Sequence, residues 1–152
     1  MNFSGSEHFD APIETVFDEI TNLNVTAKTL PGMERVERLE PTHLECRVRP
    51  KFSFLTGSMQ MIFDILEKDR PSTARMRVIG KGIGASLAIE TSVRLTSETA
   101  GTRLDWSSEV TQMTGLIKAL SHSLIEGAAK KVVADSWATF RAHLAESSGR
   151  GD

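Results

Sequence analysis

Apolar and polar positions alternate through most of the chain, framed by helical periods near its start and along its last quarter. Phe3 to Phe9 reads as a short strand. Ile13, Val16, Phe17 and Ile20 follow at helical spacing, with Pro12 at the start and Asp10 placed as an N-cap. A polar break at Thr21 and Asn22 precedes a second short helix near Val25 to Leu30, which Pro31-Gly32 stops. The middle is strand after strand. Met33 to Leu39 is one. Leu44, Cys46 and Val48 alternate with Glu45, Arg47 and Arg49. Met59, Met61, Phe63 and Ile65 form one face of the next. Ala74, Met76 and Val78, then Leu87, Ile89, Val93 and Leu95, then Leu104, Trp106, Ser108 and Val110 repeat the pattern. Turn chemistry at Asp69-Arg70-Pro71-Ser72 and Thr99-Ala100-Gly101-Thr102 separates them. Such short connections predict an antiparallel sheet.

From about Leu116 to Glu146 the period becomes helical. Leu120, Leu124, Ala128, Val132 and Val133 continue a stripe through Trp137, Phe140 and Leu144. At 1.5 Å per residue this helix runs roughly 45 Å. Gly127 reads as a bend or a close contact. The prediction is an α+β fold: a curved antiparallel sheet of about seven strands around one long C-terminal helix, with two short helices between strands 1 and 2. The sheet must cover its apolar face, and the long helix is the large cover. The space between them is either a filled core or a pocket for an apolar molecule.

Composition narrows the function classes. The chain has 152 residues, one domain by length, read here as residues 1–146 with a soft polar tail over 147–152. The tail's Arg-Gly-Asp is read as a chance match. A net charge of −2 gives no electrostatic reason to bind nucleic acid. A single cysteine excludes an intramolecular disulfide framework and a Cys-based zinc site. No secretory leader and no membrane-spanning run is read, so the expected location is the cytoplasm, with peripheral contact at the inner membrane face left open. Tyr is absent, so the interior is aliphatic, Phe and Met.

The candidate ligand pocket is built from inward positions. On the strands and their connections these are Phe52, Phe54, Met59, Met61, Phe63, Met76, Val78, Ile83, Leu87, Ile89, Leu104, Trp106 and Met113; on the helix they are Leu120, Leu124, Ala128 and Val132. Methionine adapts to irregular apolar guests, but the same stripe also fills dry cores. The loop Gly80-Lys81-Gly82-Ile83-Gly84 lies between strands and is read as a tight hairpin rather than a phosphate cradle, with Ile83 at the cavity mouth. His8, His43, His122 and His143 make no metal-ligand spacing, and Cys46 has no visible partner for nucleophilic work. No catalytic residue, metal or cofactor is assigned. Arg47, Arg49, Lys51, Arg75 and Arg77 form a basic outer patch unless Glu45 and Glu90 neutralise it.

Several segments carry a family resemblance. They are F-S-G-S-E-H-F-D-A-P at Phe3 to Pro12, Leu30-Pro31-Gly32 followed by Met33 and Val36, G-K-G-I-G-A-S at Gly80 to Ser86, Gly101-Thr102-Arg103-Leu104, and Gly115. In order and spacing, over about Met1 to Phe140, they resemble the START-like, or SRPBCC, superfamily with its helix-grip fold. Within it they are most similar to the CoxG family of carbon monoxide dehydrogenase subunits. The resemblance implies a lipophilic pocket. It also implies association with molybdenum-hydroxylase-type dehydrogenase subunits in assembly, membrane recruitment or quinone handling. Some relatives carry a membrane-seeking C-terminal extension; the small and polar Ser147 to Asp152 argues against direct anchoring here.

The first functional reading is a non-enzymatic binder of a quinone- or lipid-like molecule, accessory to such a dehydrogenase. The alternatives are a small cyclase, dehydratase or hydrolase on the same fold, and an interaction module with a dry core. His122 and Glu109 converging inside the cavity would favour the enzyme.

Overall fold

The computed structural model describes residues 1–50 and 57–150. Its strands are β1 (Asn2–Phe9), β2 (Met33–Glu40), β3 (His43–Val48), β4 (Met59–Asp69), β5 (Thr73–Gly82), β6 (Ala85–Glu98) and β7 (Gly101–Gly115). Two short helices, α1 (Ile13–Ile20) and α2 (Leu23–Thr29), lie between β1 and β2. A 3-10 turn at Leu116–Ala119 leads into α3 (His122–Arg150). All strands join one antiparallel sheet in the order β1-β7-β6-β5-β4-β3-β2. The α+β helix-grip architecture is the one the sequence pattern predicts. Phe52 and Phe54, expected in the pocket, and Lys51 fall outside the described residues, as do Gly151 and Asp152 of the tail.

Register follows the alternation. Leu44 faces Phe63, Phe63 faces Val78, Val78 faces Ile89, and Leu95 faces Leu104, which makes one continuous apolar face. The hairpin between β5 and β6 closes through Ile83 and Gly84 alone, since Gly82 pairs with Ala85. Both turn residues have positive φ, +58° and +70°. A two-residue turn of this hand matches the twist of its strands, and Gly84 takes it freely while branched Ile83 takes it under strain. The Ile83 side chain packs back onto the sheet.

Two apolar clusters fill the ends of the grip. Under α2 lie Leu23, Leu44, Cys46, Val48, Met59 and Phe63. Under α1 and the second half of α3 lie Phe9, Val16, Phe17, Leu95, Leu104, Phe140 and Leu144. Phe9 meets Phe140 edge-on at 5.5 Å between ring centres, and Trp137 completes the set at 5.8 Å from Phe9. Arg141 stacks 4.8 Å over the Phe9 ring and donates to Glu7 and to the His8 carbonyl, each at 3.1 Å. Behind them His143 contacts Glu19 of α1 at 3.1 Å.

Local details differ from the sequence reading in four places. Asp10 does not cap α1. Pro12 holds the N-cap position with no side-chain bond, and Asp10 instead contacts His8 at 3.2 Å. The long helix begins later than Leu116, because Leu120 is extended and the Ser121 hydroxyl accepts the Leu124 amide at 3.2 Å, a serine N-cap. The buried face of α3 is also turned. Val133 and Ala129 lie above Phe140, half-buried, whereas Leu124 and Val132 are 41% and 39% exposed. At 100° per residue, Val132 and Leu124 lie about 80° and 160° from Phe140, which sets the inward direction. Gly127 sits within the continuous helix, and nothing lies within 4 Å of its would-be β-carbon.

The outer face of the sheet carries charges that cancel. Arg75 bridges Glu67 and Glu90 at 3.0 and 2.9 Å, Arg49 meets Glu34 at 3.3 Å, and Arg47 meets Glu37 at 3.8 Å. Among the described residues, each arginine of the anticipated basic patch meets a carboxylate, Arg77 at 3.6 Å from Asp64. On the same face, at the start of β3, His43 Nδ1 lies 2.6 Å from Asp64 and Nε2 lies 2.7 Å from Glu45. A ring that donates from both nitrogens is an imidazolium. Accordingly Asp64, then Glu45, raise its pKa.

These contacts make two predictions. Phe140→Ala removes the ring that fastens α3 and lowers stability by about 3–5 kcal/mol, whereas Gly127→Ala, in open space, raises it by about 0.5–1 kcal/mol; urea denaturation measures both. A raised histidine pKa stabilises the fold below the ordinary value and loses that stabilisation as pH climbs through the folded one. Raising pH from about 6 therefore lowers the unfolding free energy, by no more than about 1 kcal/mol for an ion pair near the surface, and the denaturation midpoint falls with it. His43→Gln removes this part of the slope and leaves that of His8, whose pKa Glu98 also raises.

Candidate ligand-binding groove

The inner face of the sheet is not closed along its length. Leu87, Ile89, Thr91, Ser108, Val110 and Met113 belong to neither cluster and are half-buried. They lie on the β6 and β7 stretch beyond Val93 and Trp106. The reason is mechanical. α3 is fastened at Trp137, Phe140 and Leu144, and the first half of the helix has no comparable anchor.

Along β1 this leaves a groove of ≈ 690 Å³, walled by Phe3, Glu7 and Trp106 on the sheet side and by Glu126, Val133 and Trp137 on α3. That volume lies within the range of small-molecule pockets, about 300–1,000 Å³. Arg141 and its Glu7 partner close one end. His122 stands at the other, 3.6 Å from Glu126, which also pairs with Lys130 at 3.0 Å. Lys130 first, then His122, hold the Glu126 carboxyl below the usual carboxylate range. The rim is therefore charged and internally paired, while the wall is aromatic and aliphatic.

The anticipated pocket residues distribute unevenly. Met59, Phe63 and Leu104 are buried in the two clusters. Met61, Met76, Val78 and Ile83 pack partly buried against the α2 cluster. Leu87, Ile89 and Met113 lie on the open stretch, and Leu120 and Ala128 are half-buried. Trp106 lines the groove along β1. Sequence reasoning missed Phe3 and Glu7 on the edge strand, and Val133 and Arg141 on the helix, as parts of one groove, and missed that Trp106 of its wall lies over Gly5. Gly5 was readable: a glycine inside an alternating strand marks a close approach.

Inner-face polar groups are few. Thr91 and Ser108 hydrogen-bond each other at 2.7 Å across β6 and β7. Cys46 is fully buried, and desolvation, with Glu37 nearby, pushes its thiol up to about 11, which leaves it inert at neutral pH. His122 and Glu109 do not converge. His122 is on the groove rim, and Glu109 is exposed beside inward-facing Ser108, on the opposite face. Among the described residues no three His, Cys, Asp or Glu side chains group as metal ligands, and no helix is long and apolar enough to cross a membrane.

A seven-stranded antiparallel sheet gripping one C-terminal helix defines the START-like class, and solved structures agree. A conserved protein from Geobacillus kaustophilus is similar over 97% of each chain, with TM-score 0.88 at 18% identity. A START superfamily protein from Mycobacterium smegmatis is similar over 95% of this chain and 97% of its own, with TM-score 0.71 at 9% identity. At those identities the likeness concerns the fold. The model of the CoxG family of carbon monoxide dehydrogenase subunits matches residues 5–145, and the chain belongs to that family. No curated protein matches it.

Proposed function

We propose that the protein binds a hydrophobic small molecule, quinone- or lipid-like, against the inner face of the sheet beneath α3. We propose further that it acts this way as an accessory, assembly or recruitment factor of a molybdenum-hydroxylase-type dehydrogenase. The observation that carries the first part is the half-buried apolar stretch at Leu87, Ile89, Val110 and Met113, taken together with the groove between β1 and α3. An apolar guest there gains about 25 cal/mol for each Å² removed from water, less the cost of its immobilisation. The methionines beside it, Met76 and Met113, adjust to different guests. Membership of the CoxG family supports the second part.

The test is native mass spectrometry of the purified protein after incubation with a long-chain quinone and, separately, with phospholipid. A one-to-one complex with at least one of them is expected. Ile89→Lys places a charge on the open face and should weaken it at least tenfold, the cost of an unpaired buried charge being well above about 1.4 kcal/mol, with circular dichroism unchanged. Absence of any adduct, or undiminished binding by a folded Ile89→Lys variant, would overturn the reading. Co-purification with the dehydrogenase from cells expressing both tests the second part.

A further inference from the structure

The open stretch of the inner face ends on a pair of hydroxyls. Thr91 of β6 and Ser108 of β7 stand opposite each other and hydrogen-bond at 2.7 Å, and both residues are half-buried. Hydroxyls deeper in the core spend their protons on backbone carbonyls. Thr21 donates to Phe17 at 2.8 Å and Thr102 to Ala11 at 2.7 Å, and both are buried. The Thr91–Ser108 pair is not satisfied in that way. Two hydroxyls bring two O–H groups, and their mutual bond uses one. Among the described residues neither hydroxyl has a further partner, so one O–H remains unused.

Register sets what lies beside the pair. On one side, on the same face, Ile89 pairs with Val110 in the open stretch. On the other side, Val93 pairs with Trp106 against the filled cluster. Successive rungs of one face are about 7 Å apart. An apolar guest lying along β6 and β7 over Leu87, Ile89, Val110 and Met113 therefore has one end at Thr91 and Ser108, and the side chains along its length are apolar. Thr91 is not packed solid either: with Ile20, Met76 and Val93 it walls a small cavity of ≈ 40 Å³.

A hydroxyl pair has a property that an N–H or a carbonyl lacks, because each of its oxygens both donates and accepts and each O–H rotates. Turned one way, the pair offers a proton to a ligand carbonyl. Turned the other way, it accepts one from a ligand hydroxyl. The bond between Thr91 and Ser108 is kept in both arrangements. We infer that Thr91 and Ser108 are the polar recognition point of the lipophile site, and that the site takes an apolar molecule ending in a carbonyl or a hydroxyl oxygen and holds the two forms with similar affinity. The inference rests on the lipophile-binding reading and deepens it. The pair selects for an oxygen and does not distinguish an oxidised ligand from its reduced form.

The experiment titrates the full chain, carbon-13-labelled at threonine methyls, with three naphthalenes of matched shape: methyl naphthyl ketone, the alcohol made by reducing it, and isopropylnaphthalene. NMR follows the Thr91 methyl resonance, assigned with Thr91→Val, and gives the dissociation constants. Ketone and alcohol should bind within about threefold of each other. Each should bind about threefold to tenfold more tightly than the hydrocarbon, the range of one neutral hydrogen bond, and each should move the Thr91 resonance. Thr91→Val combined with Ser108→Ala removes both hydroxyls and nearly keeps their shape, and should bind all three probes equally with circular dichroism unchanged. Equal binding of the three probes by the unmodified chain overturns this inference and leaves the lipophile reading standing. So does a preference between ketone and alcohol beyond threefold, or an oxygen preference that survives in the folded double variant. An unmoved Thr91 methyl with the ketone bound overturns it as well, whether or not the double variant folds. Binding of none of the probes also overturns it, and the mass spectrometry then decides the lipophile reading on its own.

Discussion

Three aromatic rings and one arginine fasten the second half of α3 to the sheet. Phe140 and Trp137 close on Phe9, and Arg141 covers the Phe9 ring while holding Glu7 and the His8 carbonyl. These contacts combine apolar burial with directional bonds, so they fix the rotation of the helix as well as its distance. A rigid rod pinned at one end diverges from a curved surface at the other. The filled end and the open stretch at Leu87, Ile89 and Met113 are thus two consequences of the same attachment.

The two faces of the sheet solve different problems. Outside, acids and bases alternate across strands and neutralise one another, as at Arg75 between Glu67 and Glu90 and at His43 between Asp64 and Glu45. Exposed pairs of this kind add little stability, but they remove the net positive field that the basic residues would otherwise create. Inside, polar atoms are rare and are paired across strands or to the backbone. Trp106 stands apart: its indole edge packs over Gly5 of β1, and among the described residues its buried Nε1 has no hydrogen-bond partner.

Much of this was legible in the residues. Alternation at Leu44-Cys46-Val48 and at Leu104-Trp106-Ser108 marked strands because a pleated chain sends successive side chains to opposite faces. Gly82-Ile83-Gly84 marked a hairpin because tight turns of that hand need positive φ. The groove was less legible. Its walls come from β1 and α3, more than a hundred residues apart in the chain, and nothing in either segment names the other. The stripe on α3 misleads at Leu124 and Val132 because several rotations of that helix present apolar residues, and only the anchor at Phe140 selects one.

The sequence by itself determined the strands, the turns, the antiparallel pairing of strands joined by short turns, and the family resemblance, since each depends on neighbours within a few residues or on short ordered motifs, whereas the pairing of β1 with β7 joins distant segments. Tertiary structure decided where the helix touches and where it does not. It also decided which apolar positions became core and which stayed half-open, and that Gly5 and Trp106 meet. Those outcomes depend on packing between distant segments, where shape and rotation decide the contact and hydrophobicity alone cannot.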